Sequence, residues 1–495
     1  MKNVIIVGSG PVGSAFAKKL HDLSSDFKIT QFEVGPKVSD SVGRHSKNFQ
    51  DDAVIEGIQQ MSQGPNSQIK TDASRMFRGV IVARPGTYLV EEGPEAQMPA
   101  LAMSANVGGM GIHWTGACPT FNLEELPDFI NLAEFEKDFE EARDLLKVTQ
   151  SAYEGAPLGD ELRERLGEKY NVGRSVQRQV QAMPLAVQVK DGQLWWTGTE
   201  EIMGDLVSSN RYSLIPDTLV TELVHDGMKV SGVKTKNMST NQISEVPADL
   251  VFIAADAIRT PQLMFNSKIT LTALGRYLNE HGQILGLAML PPELKSSTSK
   301  PAPKTKGLNT TGVSWIPYEP KSFPAHGQIM QMDTSPIPLE GVTEADPGSF
   351  VGVGLFVAKQ LSADDRVEFS NSEQDSFGMP KPSIFYAHND EDIARFTKAK
   401  ELVSEVCQTI GEELGSGPIV MPIGSSLHYL GTVRMGSKND GKSVCDLDSK
   451  VWGFSNLYVG GNGVIPTETA GNPTATSIAF AIKAARSIVR GDEIK

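Results

Sequence analysis

A run of four apolar residues, Val4-Ile5-Ile6-Val7, leads directly into Gly8-Ser9-Gly10-Pro11-Val12-Gly13, and this junction restricts the fold more than any other stretch of the 495-residue chain. The apolar run suits a short strand buried on both faces of a parallel sheet. Beyond the glycines, Val12, Ala15, Phe16 and Leu20 keep the spacing of one helix face, and Phe27 to Phe32 returns to strand character before Glu33. The spacing therefore predicts strand, tight turn, helix, strand. In that setting the glycines read as a dinucleotide fingerprint, whereas alone they would signal only a turn. Gly8 permits the turn, Gly10 lets the backbone approach a pyrophosphate, and Gly13 lets helix and strand pack closely. The helix amino terminus offers unpaired N–H groups and a favourable dipole to the phosphates. Glu33, 20 residues beyond Gly13, is spaced to accept hydrogen bonds from a ribose diol.

The other end of the chain carries a second signature of the same kind. Leu457-Tyr458-Val459 reads as a strand, Gly460-Gly461-Asn462-Gly463 as a turn, and Asn472-Pro473-Thr474 as a helix start with Asn472 at the N-cap and Pro473 in the first helical position. Ile478, Ile482, Ala485 and Val489 then share one buried face. Leu250 to Ala255 supplies a further apolar strand. The expected class is α/β (α+β), with a discontinuous Rossmann-like nucleotide domain over 1–120, 201–285 and 426–495. A mixed connecting segment over 121–200 and a sheet-rich substrate domain over 286–425 complete it. Within the latter, Pro291 to Gly307 is rich in Pro, Lys, Ser and Thr and is expected to be an exposed, mobile loop.

Composition removes several function classes. A formal charge of −14 argues against a general nucleic-acid binder. No apolar run approaches the roughly 18 residues of a membrane helix, and the start has no leader-like apolar region. Cys118, Cys407 and Cys445 are too widely spaced for a disulfide framework or a zinc site, so a cytoplasmic protein without a metal centre is expected.

Five segments together carry a resemblance that spans nearly the whole chain: VGSGPVGSA, VGGMGIHWTGACP (107–119), FPAHGQIMQMD (323–333), LHYLGTVRMG (427–436) and VWGFSNLYVGGNGVIPTETAGNPTATS (451–477). On these the chain resembles the glucose-methanol-choline (GMC) oxidoreductase superfamily, and within it the pyranose 2-oxidases and bacterial relatives that oxidise sugars and C-glycosides. The resemblance implies FAD, a flavin-contact loop over 104–119, and a substrate domain whose sheet covers the flavin. It implies oxidation of a secondary hydroxyl, at C2 or C3, of a pyranose sugar or glycoside, with oxygen or a quinone as electron acceptor.

Such an oxidation needs a base at the hydroxyl, a role that suits histidine. By the family match His428 is that base, and Asn472 is the partner that donates a hydrogen bond to the substrate oxygen. Thr474 and nearby amides of the Asn472-Pro473-Thr474 helix start, with Gly461 and Asn462, face the flavin, where a helix terminus stabilises the negative charge of the reduced ring. Gly108 and Gly109 let the chain pass close to the ring, beside His113, Trp114 and Thr115. Gln328 matches a substrate loop, and its amide both donates to and accepts from sugar hydroxyls. Asp333 is given no role, and His21, His45, His225, His281, His326 and His388 are read as surface or structural.

Pyranose 2-oxidases carry Ser-Thr before the histidine that can bond covalently to the flavin. Here Gly111-Ile112 precede His113, so non-covalent FAD is expected. The Pro291 to Gly307 loop replaces an assembly subdomain, which predicts a monomer or dimer rather than a tetramer, a distinction light scattering makes. The rival readings are a GMC-type dehydrogenase for a cyclitol or aryl alcohol, and a non-enzymatic flavin-bound sugar sensor.

Overall fold

In a computed structural model, residues 1–66, 76–77, 80–81, 85–91, 95–294, 310–332 and 348–493 are described. Most of the Pro291 to Gly307 segment, and Asp333, lie outside the described residues.

Five parallel strands form one sheet in the order Tyr212–Ile215, Phe27–Phe32, Lys2–Val7, Leu250–Ile253 and Leu457–Val459. Strands from the start, middle and end of the chain thus pair directly, with Val4 beside Ile29 on one side and Leu250 on the other. Val4, Ile5, Ile6 and Val7 are buried, as expected of a strand covered on both faces. The helix Pro11–Leu23 follows with Pro11 in its first turn, where a missing N–H costs no intrahelical bond. Its Phe16 ring stacks on Phe252 of the strand Leu250–Ile253 at a centroid distance of 3.8 Å. The helix Thr474–Glu493 joins the same core through Ala481, Ala484, Ala485 and Ile488. The three alanines let its backbone come close to Phe16, Ala17 and Leu20.

A second sheet has six strands, in the order Glu412–Val420, Gly282–Met289, Phe350–Val357, His326–Met332, Thr310–Ile316 and Gln181–Ala182, every neighbour antiparallel. One face carries the helix Asp390–Ile410, whose Phe396, Val403, Val406, Cys407 and Ile410 bury against Ile284, Ala288, Val351 and Val353. Each fully buried side chain of this kind contributes roughly 1.5–3 kcal/mol. Strand periodicity then turns the alternate residues, Gln283, Leu285 and Leu287, then Gln328 and Met330, then Gly352, Gly354 and Phe356, to the opposite face, where they line a cavity. In register, Gly354 stands between Leu285 and Gln328, and Gly352 between Leu287 and Met330. Two missing side chains in mid-sheet hollow that wall. Among the described residues no helix is long and apolar enough to cross a membrane.

Candidate active site

A single cavity of about 1130 Å³ runs from the glycine turn of the parallel sheet to the hollowed face of the antiparallel one. At the first end, Gly8 has φ +98°, and a Cβ there would lie 2.4 Å from the Ala254 carbonyl oxygen. A Cβ on Gly13 would lie 2.2 Å from the Gly8 carbonyl oxygen, so this residue sets the contact of helix on strand. Gly10 differs: a Cβ there meets no protein atom within 4 Å, and the residue lines the cavity. Glu33 lines it too, its buried carboxylate accepting from Ser9 N (3.0 Å), Ser9 Oγ (2.8 Å) and Gly35 N (3.0 Å). Burial raises its pKa while these three donors oppose the rise.

Along the middle, Gly109, His113, Trp114 and Thr115 line the cavity. Gly108 does not; with φ +97° it makes the turn, and its N–H donates to Ser9 Oγ at 2.9 Å, tying this loop to the glycine turn. Trp114 donates through Nε1 to the Thr197 carbonyl (2.8 Å), and His113 Nε2 stands 2.9 Å from Ser62 Oγ. Desolvation pushes the His113 imidazole down to about 4, so the ring is uncharged at neutral pH.

At the far end the structure brings His428, Asn472 and Gln328 together on the cavity wall. His428 Nε2 is 3.1 Å from Asn472 Nδ2, and Asn472 Oδ1 accepts from Gln328 Nε2 at 2.5 Å. Burial lowers the His428 imidazole to about 3, which leaves a neutral ring with a lone pair to offer. The preceding residue, Leu427, has φ +60°, an uncommon conformation for leucine that costs of order 1–3 kcal/mol and clusters at functional sites. Gly461, Asn462 and Thr474 also line the cavity; Pro473 does not.

One expectation is corrected here. The last helix begins at Thr474, so Asn472 is not its N-cap and Pro473 is not its first helical residue. The Pro473 carbonyl accepts the first helical bond, from Ser477 N–H. Asn472 directs both ends of its amide to His428 and Gln328 instead. Asn472→Ala should therefore slow substrate oxidation roughly a hundredfold, as loss of one aimed donor does. It should do so without the roughly 0.5–2 kcal/mol stability loss of a missing N-cap. Rate and melting temperature measured together test this, and a slow variant that also melts far lower would mark Asn472 as structural.

Three residues were missed or read as merely structural. His281, 2% exposed, places Nδ1 3.0 Å from His428 Nδ1. Glu280 beside it is buried and accepts from Gly424 N (2.5 Å), Ser426 N (2.9 Å) and Ser426 Oγ (2.8 Å); Ser426 Oγ in turn accepts from His428 N–H at 3.1 Å. Glu125 holds the other loop, accepting from Ala470 N (2.8 Å) and Gly471 N (3.1 Å) just before Asn472 and facing His326 Nε2 at 2.9 Å. The available signal was weak: Glu280-His281 stands immediately before a strand whose alternate residues face the cavity.

Comparison with known proteins gives relatives over the full length. Residues 363–481 match the family described as GMC oxidoreductase. The chain is 43% identical to a C-glycoside 3-oxidase of Microbacterium trichothecenolyticum, over 99% of this chain and 97% of that protein. It is 42% identical to a C-glycoside 3-oxidase of Arthrobacter globiformis, covering 98% and 94%. A pyranose 2-oxidase of Tricholoma matsutake is 31% identical over 98% and 93%. In structure it resembles pyridoxine 4-oxidase from Mesorbium loti, with TM-score 0.61 over 98% of this chain and 99% of that one at 18% identity, a likeness of fold.

Proposed function

Because the chain belongs to the GMC oxidoreductase family, we propose that it is an FAD enzyme that oxidises the C3 hydroxyl of a pyranose glycoside to a ketone. The observation that carries this reading is the His428, Asn472 and Gln328 chain of contacts on one wall of the cavity that begins at the glycine turn. C3 is preferred to C2 because the two C-glycoside 3-oxidases, at 43% and 42% identity, are nearer than the pyranose 2-oxidase at 31%. Oxygen is the matching acceptor.

The residues fit FAD. Space left where a Gly10 Cβ would point admits a pyrophosphate, Glu33 stands at the ribose position, and Gly109 approaches Gly10 so closely that its own Cβ would lie 3.3 Å from the Gly10 Cα. When bound, FAD supplies the hydride acceptor. The protein's part is acid–base and positional. His428 Nε2 takes the hydroxyl proton, while Asn472 Nδ2 donates to the same oxygen and restrains it as charge develops. Gln328 is free to exchange its bond to Asn472 for one to a neighbouring sugar hydroxyl. Gly352 and Gly354 leave room for the ring against the sheet. Thr474 and the amino end of the last helix face the cavity, where their donors favour negative charge.

Anaerobic addition of glycosides to the yellow protein should bleach its visible absorption, and NMR of the product should place the ketone at C3. Bleaching by cyclitols or aryl alcohols alone would replace the substrate class. The flavin is proposed to be held without a covalent bond, supported by the hydrogen-bonding distance between His113 Nε2 and Ser62 Oγ. Acid precipitation should then release the colour to the supernatant; colour in the pellet would show a covalent link.

A further inference from the structure

Behind the cavity wall His428 belongs to a line of groups that ends in the protein interior. Its Nδ1 meets His281 Nδ1 at 3.0 Å, and His281 Nε2 meets Thr469 Oγ1 at 2.9 Å. The rings are 4.9 Å apart at 66°, with Phe356 packed against both. His281 does not line the cavity. Between two nitrogens at this distance one must carry the proton and the other the lone pair. Two proton orders along the line are therefore possible, and they are not equivalent for chemistry. If His428 carries its proton on Nδ1, it donates to His281, which donates in turn from Nε2 to Thr469; Nε2 of His428 then keeps a lone pair facing Asn472 Nδ2 and the cavity. In the reverse order His428 Nε2 is already protonated and has nothing with which to take a proton from a hydroxyl.

We propose that His281 is the positioning residue that fixes His428 in the Nδ1–H form and supports it when Nε2 takes the substrate proton. The inference rests on the reading of His428 as the base. In the proton transfer the substrate O–H bond breaks, the new N–H bond forms on Nε2, and the His428 cation keeps its Nδ1–H bond to the His281 lone pair. This is the general arrangement of a base oriented by a third group. An imidazole serves as orienter where a carboxylate often does, so the base gains direction without a fixed anion. The charged and titratable groups around the pair are consistent with that. Glu280 turns its carboxylate to Gly424 and Ser426, Tyr386 reaches the Glu280 carbonyl at 3.4 Å, and His326 is engaged by Glu125. Burial and the neighbouring histidines hold His281 well below the ordinary histidine range, so it acts as a neutral acceptor.

Two measurements on the FAD-loaded protein test this. The first is nitrogen-15 NMR of histidine-labelled enzyme without substrate, with the His428 signals identified by their loss in His428→Ala. His428 should carry its proton on Nδ1 in the wild type and lose that preference in His281→Leu. A wild-type His428 protonated on Nε2 would overturn the proposal whatever the substrate proves to be. The second is anaerobic flavin reduction by a glycoside across pH. His281→Leu should reduce the flavin roughly 10–100-fold more slowly, as loss of an orienting partner does. It should also move the pH at which the rate is half-maximal, with KM little changed. His281→Asn, whose side-chain oxygen can accept from Nδ1–H, should recover much of the rate. Added to His428→Ala, His281→Leu should change the rate by no more than about twofold, because a group acting through another has nothing left to act on. Independent, multiplying losses in the double variant, or a wild-type rate and pH profile in His281→Leu, would overturn it. Should no glycoside reduce the wild-type flavin, the substrate reading fails by itself, and the NMR result still decides the role of His281.

Discussion

His428→Ala should yield a folded, yellow protein whose flavin is reduced by a glycoside at least about a hundredfold more slowly than in the wild type. In free energy that is about 2.7 kcal/mol of lost transition-state stabilisation. The expectation of an intact fold has a structural basis. The His428 ring is partly open to the cavity, and the backbone around it is held by other groups, with Ser426 Oγ accepting from its N–H and Glu280 fixing Gly424 and Ser426. Truncation removes the ring's contacts to Asn472 and His281 but none of those supports. The parallel sheet, which carries the glycine-turn end of the cavity, is built from strands that do not include this loop. Anaerobic stopped-flow absorbance is the measurement of choice, because it excludes reoxidation and follows reduction alone. Reduction at the wild-type rate would remove His428 from the chemistry. The base would then have to be sought elsewhere on the cavity wall, where His113 is the other histidine among the described residues. A variant that loses its colour would instead show that the loop around His428 supports the cofactor.

The nucleotide half of this architecture was legible because its constraints are local. Val4 to Val7, the three glycines and Glu33 follow one another along a single strand, turn, helix and strand, at spacings that the sequence expresses directly. The pairing of Val4 with Leu250, and of Val251 with Leu457, was inferred only in outline, since the apolar runs identify strands and not their neighbours. At the reaction end the legible residues were those carried by motifs, His428, Asn472 and Gln328. What escaped was the support behind them. His281 lies 147 positions from His428, and Glu125 lies 345 and 346 from the amides it accepts, so no local pattern connects them. Asn472 shows the opposite hazard. Its position before a proline and a helix satisfies the local N-cap pattern, yet the tertiary demand of Gln328 and His428 takes its amide, and the helix starts at Thr474 without it.

The same distinction between local geometry and what the cavity must hold separates two substitutions in the glycine turn. Gly13→Val should prevent correct folding, because even its Cβ would sit 2.2 Å from the Gly8 carbonyl oxygen, and backbone cannot move aside without pulling the helix Pro11–Leu23 off the sheet. Gly10→Val should fold, since a Cβ there meets no protein atom within 4 Å and the residue's φ of −64° is open to any amino acid. Its side chain instead occupies the space through which a pyrophosphate would approach the helix amino terminus. The expected product is a colourless protein with native secondary structure that takes up no FAD on titration. A bound cofactor stabilises the folded state by mass action, so Gly10→Val should melt below the yellow wild type and close to wild-type protein stripped of its flavin. Absorbance near the flavin band, circular dichroism and the melting curve of the three proteins provide the test. A yellow Gly10→Val protein would mean that the cofactor does not lie over this turn, and a Gly10→Val protein that melts far below stripped wild type would mean that Gly10, like Gly13, is there for packing.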